Sequence, residues 1–506
     1  MPLKTVKYCI SILPFSEADL YDKLKKCKEA DIIELRLDLL EDVNFYKLKQ
    51  KIDIPLIVTV RIANEGGFWK KKSHLRCPIF QKAIDAGIHF IDVEWKTARE
   101  ILSNLQFKSH TSLILSHHTD ENQFDSLKEI LDKMTKIPAD IYKLIYQAYN
   151  INDNITSLRL RELYQEEHKD FLIHAMGEEG TLSRLIGSIR GNSFTYLSLE
   201  KQNQTAFGQL EVQDANDKFY LREKNNETKL IGLLGYPITQ SKGWQLHNAL
   251  LHEKRNQMKD QEEISDFLYV NFSAANFDEY WQSWNPWVDG LSVTIPHKES
   301  IIPNLSTVTK FVEKSGVCNT AVKIDNKWLG HNTDVHAIIE VLKPHLLSLS
   351  EGVLIYGTGA TTRSTIAALK ELNIFPIYVI GRNKERGELI QDLFNVRFIP
   401  DNQISRLSFS GIIQTTPVGM FPYEDQIPPV SGLLDKVKIV FDVVYNPPIT
   451  KLLEKAKEAG CLIISGEEMF LRQAMKQFEI FCGISASLAD IKRVWRKIMV
   501  KKESLN

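Results

Sequence analysis

The 506-residue sequence lacks the long apolar runs, the charge imbalance and the paired cysteines that define several classes of protein. No apolar run approaches the ~20 residues of a transmembrane helix, so we expect no membrane partner. Lysine and arginine total 63 against 64 acidic residues, which gives no basic surface for nucleic acid. The six cysteines are scattered without a C-x-x-C pair, a pattern that favours reduced thiols over disulfides or zinc ligands. We therefore expect a cytoplasmic protein.

The first two fifths of the chain alternate apolar strand-like segments with helical or polar spacers. Eight alternations favour a closed (β/α)8 barrel, and the rival interpretation is an open doubly wound sheet. The strand-like segments are residues 8–13, 32–38, 56–61, 90–95, 112–118, 141–148, 171–177 and 194–199.

Polar side chains fall at the ends of these segments, where barrel enzymes build their sites. Glu34 and Arg36 share one face of the second segment, Arg61 ends the third, and His117 and His118 end the fifth. A terminal arginine or a histidine pair on its own is more often structural. The positions nevertheless predict a polar site at one end of the barrel.

Lys143 lies inside the apolar sixth segment. Such a lysine can be a snorkelling or edge residue. Burial, however, destabilises an ammonium group and favours the neutral amine, which can attack a ketone to form a Schiff base. His118, one strand earlier, would then be near enough for proton transfer.

Residues 353–386 have the order of a dinucleotide-binding βαβ unit: strand, glycine turn, helix and strand. The turn holds Gly357 and Gly359, and Thr362 replaces the third glycine of the usual fingerprint. Arg382 and Arg386 follow the second strand, where NAD-binding proteins place an acidic residue. Two arginines suit a 2′-phosphate and predict NADP, whereas the alternative is a solvated basic turn.

Four further stretches each contain a short apolar run that ends in small polar groups followed by a charged residue. They are residues 230–251, 292–299, 316–322 and 330–337. This composition is typical of a pocket for a small hydroxylated anion. Lys298 and Asp334 can exchange a proton with an alcohol oxygen during hydride transfer. Taken singly, Lys298 can be an ordinary helix-start lysine and Asp334 a helix N-cap.

The motifs ELRLD, TVRIANEGG, LSHHTD, ADIYK, MGEEGTLSR and TAFGQ, in this order, resemble the type I 3-dehydroquinate dehydratases over residues 8–210. The resemblance makes Lys143 the Schiff-base lysine and Glu65 the carboxylate that orients the general acid/base. His118 takes that acid/base role over His117 because the family places it two residues after a serine. The implied substrate ligands are Arg184 for the carboxylate and Glu34, Arg36, Arg61 and Gln209 for the hydroxyls and the far rim. Thr205 and Phe207 depart from the family's serine and proline in a lid-like segment.

The second half resembles shikimate dehydrogenase over residues 230–480, through GYPITQSK, SVTIPHKE, VCNT, GHNTD, GTGATTR, GRNKER, TTPVGM, FDVVYNPPIT and SGEEMFLRQA. The resemblance makes Lys298 and Asp334 the catalytic pair. The implied shikimate pocket is Ser241, Thr294, Asn319, Asn332, Tyr445 and Gln473, and the implied NADP site is Gly357, Gly359, Ala360, Thr361, Arg382 and Arg386. Gly243, Trp244 and Gly381 depart from the family's serine, proline and asparagine.

Together the halves resemble the bifunctional 3-dehydroquinate dehydratase/shikimate dehydrogenases. This implies dehydration of 3-dehydroquinate to 3-dehydroshikimate, then reduction to shikimate with NADPH, so the expected partners are these small molecules. Alternatives are a quinate-preferring or NAD-using variant and a catalytically silent ligand sensor, although the intact set of proton-transfer groups argues against a sensor. We expect a barrel (residues 1–222), an α/β substrate-binding domain (223–345 with 467–506) and a Rossmann-like NADP domain (346–466).

Overall fold

The computed structural model describes residues 5–165, 169–200, 208–258, 264–400, 404 and 407–503. These residues form two compact units. The first runs to Leu230 and also includes Asp278–Trp287, and the second comprises Ile231–Phe277 and the chain from Val288 onward. The departures at positions 205 and 207 lie outside the described residues.

Eight parallel strands of the first unit curl into the predicted (β/α)8 barrel. Strand β1 pairs with β2 on one side and with β8 on the other, and the remaining neighbours follow in chain order. Among the described residues β7 and β8 share no backbone ladder, so the hydrogen-bonded sheet runs from β8 through β1 to β7. The strands are β1 (Tyr8–Ile12), β2 (Ile32–Arg36), β3 (Leu56–Thr59), β4 (Phe90–Glu94), β5 (Ser112–Thr119), β6 (Ile141–Gln147), β7 (Asp170–Met176) and β8 (Thr195–Ser198), with a short β9 (Leu210–Glu211) beside β8.

The helices that alternate with these strands begin and end at ordinary local signals. Helix α1, for example, starts at Ser16, whose hydroxyl accepts the Asp19 N–H at 3.2 Å, and it ends in lysines that suit the negative end of its dipole. The helices are α1 (Glu17–Lys26), α2 (Phe45–Lys51), α3 (Cys77–Asp85), α4 (Ala98–Leu102), α5 (Phe124–Met134), α6 (Ile155–Leu163), α7 (Thr181–Ile189) and α8 (Val212–Asp217).

The barrel interior is apolar at one end and polar at the other. Because successive strand residues face opposite sides, Leu35 and Leu115 pack outward against the helices while Ile32 and Ile114 fill the interior. Two residues further along each strand the inward positions become polar. These inward polar residues are Glu34, Thr59, Asp92, Ser116 and Lys143, all buried.

The second unit begins with a mixed sheet of order β11-β10-β12-β14-β15-β13. A hairpin through Asp325 and Asn326, both at positive φ, makes β14 and β15 antiparallel. The strands are β10 (Lys229–Gly235), β11 (Phe267–Ser273), β12 (Gly290–Val293), β13 (Thr307–Val308), β14 (Thr320–Ile324) and β15 (Lys327–His331). The helices of this part of the unit are α9 (Gly243–Gln257), α11 (Lys310–Ser315) and α12 (Thr333–Leu342), whereas α10 (Phe277–Trp284) belongs, apart from Phe277, to the first unit.

The other sheet of the second unit is parallel throughout, in the order β18-β17-β16-β19-β20-β21. The strand order reverses at β16, which is where open α/β sheets bind ligands, and this is the predicted Rossmann-like architecture. The strands are β16 (Val353–Tyr356), β17 (Ile377–Ile380), β18 (Arg397–Phe398), β19 (Gly411–Gln414), β20 (Ile439–Asp442) and β21 (Leu462–Ile464), with helices α13 (Ala360–Glu371), α14 (Lys384–Phe394) and α15 (Lys451–Glu458).

The last two helices, α16 (Gly466–Cys482) and α17 (Leu488–Glu503), return to the mixed sheet. Phe478 of α16 and Ile491 of α17 share a buried cluster with Leu246 and Leu250 of α9. In the part of the chain that is described, no helix is both long and apolar enough to cross a membrane.

Candidate active sites

Lys143 is buried in the barrel among polar groups. Its Nζ donates to Asp92 Oδ2 at 3.0 Å and to the Tyr196 hydroxyl at 3.0 Å, and it lies 3.6 Å from Glu34 Oε1. The sequence had suggested a dry, apolar setting, but only the adjacent Tyr142 and Leu144 face the helices, whereas Ile141 and Ile145 share the barrel interior with the lysine. The lysine therefore sits in a closed interior next to two carboxylates.

Asp92 links this lysine to Arg61. The Arg61 guanidinium donates to Asp92 Oδ1 at 2.8 Å and to Ser116 Oγ at 2.7 Å, and its NH1 lies 3.4 Å from Glu94 Oε1. Burial would raise the pKa of Asp92, but the charges of Arg61 and Lys143 outweigh it and hold that pKa below its ordinary value. Arg61, predicted as a substrate ligand, is thus engaged in internal bonds and is only 2% exposed.

Glu65 contacts both histidines of the pair. Its Oε1 is 3.0 Å from His117 Nδ1, while its Oε2 accepts the His118 backbone N–H at 2.9 Å and lies 3.5 Å from His118 Nδ1. Burial and the nearby Arg61 charge lower the pKa of His118 to about 3, so its imidazole is neutral at physiological pH. Burial opposes ionisation of Glu65, but its contacts with both histidines and the charge of Arg61 lower its pKa overall.

Arg184, on α7, is buried with an Nε that has no hydrogen-bond partner among the described residues. Burial lowers the pKa of this guanidinium to about 10, which still leaves it charged. It interacts electrostatically with Tyr196, whose hydroxyl accepts a hydrogen bond from Lys143. A buried cation with an unsatisfied donor is suited to bind an anion beside the lysine.

The other predicted rim residues lie on β2 and before β9. Glu34 accepts hydrogen bonds from Ser11 Oγ and, at 2.9 Å, from Thr59 Oγ1. Arg36 donates to both oxygens of Asp38 at 3.2 and 2.6 Å. Gln209 is 6% exposed and immediately precedes β9.

The second unit contains a cavity of about 570 Å³ lined by strands of the mixed sheet and by loops and helices that adjoin the parallel sheet. Across it, Lys298 Nζ donates to Asp334 Oδ2 at 2.6 Å, and Asn319 Nδ2 donates to Asp334 Oδ1 at 2.9 Å. The structure thus brings most of the predicted ligands to one place. The predicted residues on the cavity wall are Ser241, Thr294, Lys298, Asn319, Asp334, Thr361, Tyr445 and Gln473.

Asn332 does not line this cavity. Its Nδ2 donates to Ser315 Oγ and Ser364 Oγ, both at 2.9 Å, and its Oδ1 accepts the Val335 N–H at 3.2 Å as the N-cap of α12. The side chain is therefore committed to internal bonds, and the structure does not bring it to the predicted substrate pocket. Asn332, rather than Asp334, is the N-cap, which leaves Asp334 available to Lys298.

Sequence reasoning missed Gln477 and His247, which also line the cavity. Gln477 follows Gln473 by one helical turn, a spacing that predicts the same face of α16. It accepts from Ser292 Oγ and donates to Thr320 Oγ1, each at 3.0 Å. His247 stacks on Tyr269 with ring centroids 4.7 Å apart, and burial lowers its pKa to about 4, so its ring is uncharged.

Gly243 opens α9 beside the cavity. Its N–H donates to Ser241 Oγ at 3.4 Å, and a Cβ at Gly243 would meet only that oxygen, at 3.6 Å. Space therefore does not require a glycine here, and the position leaves an opening next to Ser241.

The turn after β16 fits a dinucleotide pyrophosphate. Gly357 has φ +135°, and a Cβ there would meet Thr415 Oγ1 at 2.3 Å, whereas Gly359 faces open space at the start of α13. Thr362, in place of the third glycine, is buried and bonds Thr415 at 2.8 Å. The backbone can thus approach a phosphate at a helix N-terminus, despite the incomplete fingerprint.

The segment after β17 carries two exposed arginines, Arg382 and Arg386. Asn383 accepts the Arg386 N–H at 2.9 Å and caps α14, which fixes the backbone that carries both. A Cβ at Gly381 would meet Thr358 Cγ2 at 2.9 Å, so the Thr358 methyl occupies the space that a larger residue at 381 would need. A side chain at 381 would therefore require the Thr358 side chain to shift.

Each half of the chain is similar to a known family of proteins. Residues 8–226 match the family model for type I 3-dehydroquinase, and residues 233–321 match that for the shikimate dehydrogenase substrate binding domain. The chloroplastic bifunctional 3-dehydroquinate dehydratase/shikimate dehydrogenase of Arabidopsis thaliana is 28% identical over 502 residues, which covers 93% of this chain and 80% of that protein.

Two solved structures are also similar. The dehydroquinate dehydratase and shikimate dehydrogenase from S. pombe is 23% identical, with a TM-score of 0.42, and the match covers 97% of this chain and 98% of that one. The shikimate dehydrogenase from Aquifex aeolicus is 27% identical, with a TM-score of 0.47, and the match covers 54% of this chain and 99% of that one.

The two family models therefore divide one chain between a lyase half and an oxidoreductase half. The dehydratase half comes first and the dehydrogenase half second, in the same order as the two activities in the name of the Arabidopsis thaliana relative. The chain therefore joins a type I 3-dehydroquinase domain to a shikimate dehydrogenase domain, the combination found in the bifunctional enzymes of the shikimate pathway.

Proposed function

We propose that the barrel dehydrates 3-dehydroquinate through an imine on Lys143. The observation that carries this proposal is the buried Nζ, held between Asp92 and Tyr196 at 3.0 Å from each. The neutral amine attacks the substrate ketone, and loss of one water gives an iminium ion that acidifies the adjacent C–H. Loss of that proton and of the β-hydroxyl as water, followed by hydrolysis of the imine, gives 3-dehydroshikimate and regenerates the lysine.

His118 is the proposed proton acceptor, with Glu65 as its supporting carboxylate. A pKa of about 3 keeps the His118 imidazole neutral and able to accept a proton. Glu65, whose pKa is lowered, stays ionised and stabilises the imidazolium that forms.

Arg184 is the proposed ligand of the substrate carboxylate, because its buried guanidinium has an unsatisfied Nε. Glu34, Arg36 and Gln209 remain the proposed ligands of the hydroxyls and the rim. For Arg61 the internal bonds favour a different role, in which it holds Asp92 against Lys143.

The second unit is proposed to reduce 3-dehydroshikimate to shikimate. When bound, NADPH supplies the hydride for the ketone carbon. Lys298 donates the proton to the ketone oxygen, and Asp334, 2.6 Å away, keeps the ammonium form in place. Ser241, Thr294, Asn319, Tyr445 and Gln473 are the proposed ligands of the carboxylate and hydroxyls.

This function is tested by feeding 3-dehydroquinate and NADPH to the purified chain. We expect shikimate to accumulate and NADPH to be oxidised in equal amounts, because each turnover of the second site consumes one hydride. Formation of 3-dehydroshikimate without NADPH oxidation would refute the second half of the proposal, and no loss of 3-dehydroquinate would refute the first.

Quinate with NAD is the second candidate for the dehydrogenase. The opening beside Ser241 left by Gly243 favours it, since a second substituent on the carboxylate-bearing carbon would fit there. Oxidation of quinate with NAD at a higher kcat/KM than shikimate with NADP would support this variant.

The preference for NADP is proposed to depend on Arg382 and Arg386, which are exposed at the end of β17 and free to meet a 2′-phosphate. We expect Arg382→Ala to raise the KM for NADPH by about 10- to 100-fold, the cost of a charge-assisted hydrogen bond, with little change for NADH.

Arg397→Ala, which removes an exposed arginine on the neighbouring strand β18, is the matched control and leaves both Michaelis constants unchanged. An Arg382→Ala variant in which the NADPH and NADH constants rise equally would contradict recognition of the 2′-phosphate.

The domain limits 1–222, 223–345 with 467–506, and 346–466 are proposed on the basis of the three sheets, each of which falls within one of these segments. A cytoplasmic location is proposed because all six cysteines are buried free thiols with no disulfide.

A further inference from the structure

His117 is a buried titratable residue that the chemistry above does not use. Its ring is 2% exposed and packs edge-to-face on Trp95, with centroids 5.5 Å apart. Its Nδ1 lies 3.0 Å from Glu65 Oε1. Because the ionised Glu65 carboxylate can only accept, the His117 Nδ1–H must be the donor.

The two histidines reach Glu65 from opposite faces of β5. His118 shares the inward face with Ser116, two residues earlier, whereas His117 points the other way. Glu65 closes a short turn after β3 and gives one carboxylate oxygen to each: Oε1 to the His117 ring, and Oε2 to the His118 backbone N–H at 2.9 Å. The His118 ring is not bonded in this arrangement, since its Nδ1 is 3.5 Å from Oε2 and has no hydrogen-bond partner in the described residues.

The carboxylate is thus fixed at both oxygens before His118 takes up a proton. Without the His117 donor, Oε1 of Glu65 would lack its buried partner. The Glu65 carboxylate could then rotate, and the rotation would carry Oε2 away from the His118 ring. The charged and titratable groups facing Glu65 are Arg61, just after β3, and the two histidines of β5, and His118 additionally faces Lys143 of β6. Arg61 is the competing partner toward which a released carboxylate would turn.

We propose that His117 is a positioning residue for dehydration, which holds the Glu65 carboxylate so that Oε2 faces the His118 ring at the moment the imidazolium forms. The proposal rests on the acid/base role given to His118 above and deepens it. It also gives the two adjacent histidines separate tasks: His118 moves the proton, and His117 acts through Glu65.

Two substitutions separate the hydrogen bond from the packing. His117→Phe keeps a ring against Trp95 and removes the donor, whereas His117→Asn keeps an N–H near the position of Nδ1. We expect kcat for dehydration to fall by about 10- to 100-fold in the Phe variant, as for other partners that orient a catalytic group, with KM unchanged. The Asn variant recovers most of this loss, and shikimate oxidation by the same preparations shows that the chain is intact.

The pH profile is the readout that a merely structural role would not move. The His117 hydrogen bond stabilises the ionised form of Glu65 and so contributes to its lowered pKa. Its removal raises that pKa, and the acid limb of the kcat profile moves to higher pH in His117→Phe but not in His117→Asn. Wild-type kcat and profile in His117→Phe, or an equal loss in both variants, would overturn the proposal.

Borohydride trapping distinguishes this proposal from the proposed function. If His117 acts after imine formation, His117→Phe with 3-dehydroquinate and borohydride gives the same adduct on Lys143 as the wild type. Loss of the adduct in the variant alone would contradict the positioning role, while its absence in the wild type would instead refute the imine mechanism itself.

Discussion

Lys143→Met is expected to lower dehydration of 3-dehydroquinate by about 10⁴-fold or more, the loss typical of removing a catalytic nucleophile. The reason is that no other described amine lies between Asp92 and Tyr196, so no imine can form there. In the wild type, borohydride with substrate should trap a covalent adduct that peptide mass spectrometry locates on Lys143. The same treatment of Lys143→Met should leave the chain unmodified.

Lys169→Met is the matched control, since it removes an exposed lysine just before β7. It should dehydrate and trap substrate like the wild type. Shikimate oxidation should be unchanged in both variants, because that reaction uses the second unit. Dehydration at the wild-type rate by Lys143→Met, or trapping at another lysine, would contradict the imine on Lys143.

Lys298→Met should lower shikimate oxidation by about 10²- to 10⁴-fold, the contribution typical of a general acid/base. Lys298 and Asp334 are in direct contact at 2.6 Å, so each depends on the other. Asp334→Asn should therefore lower kcat by a similar factor, and the double variant should be little worse than either single variant. Steady-state kinetics of the three variants measure this coupling.

Dehydration of 3-dehydroquinate serves as the internal control for these variants, and cofactor affinity measured by fluorescence should be unchanged. Strictly multiplicative losses in the double variant would show that the two residues act independently, contrary to a shared proton-transfer role.

The strands and the main catalytic candidates could be predicted from the sequence because they depend on local patterns. Eight apolar segments with period-two polar positions predicted the barrel, and the glycine turn after β16 predicted the parallel sheet. Lys298 and Asp334 each follow a short apolar run that ends in small polar groups, and the resemblance to shikimate dehydrogenase assigned them as a pair. These signals are contained in short windows of the chain.

The partners of those residues could not be predicted, because they come from distant strands. Asp92 and Tyr196 meet Lys143 from β4 and β8, and nothing in those segments marks them as its ligands. Arg61 was assigned to the substrate through the family resemblance, because its engagement by Asp92 and Glu94 is visible only in the folded structure. Asn332 is similar: its amide is taken by Ser315 and Ser364, from two other segments.

The contact between Thr358 and Gly381 constrains the order in which the coenzyme site can change. A Cβ at position 381 would lie 2.9 Å from the Thr358 methyl group, so a larger residue there requires the Thr358 side chain to shift. If Thr358 is first replaced by a smaller residue, the methyl group is no longer in the way. If Gly381 is replaced first, the single variant has to accommodate the close contact with Thr358. The two positions are therefore coupled by packing, and a library that varies position 381 should vary position 358 with it.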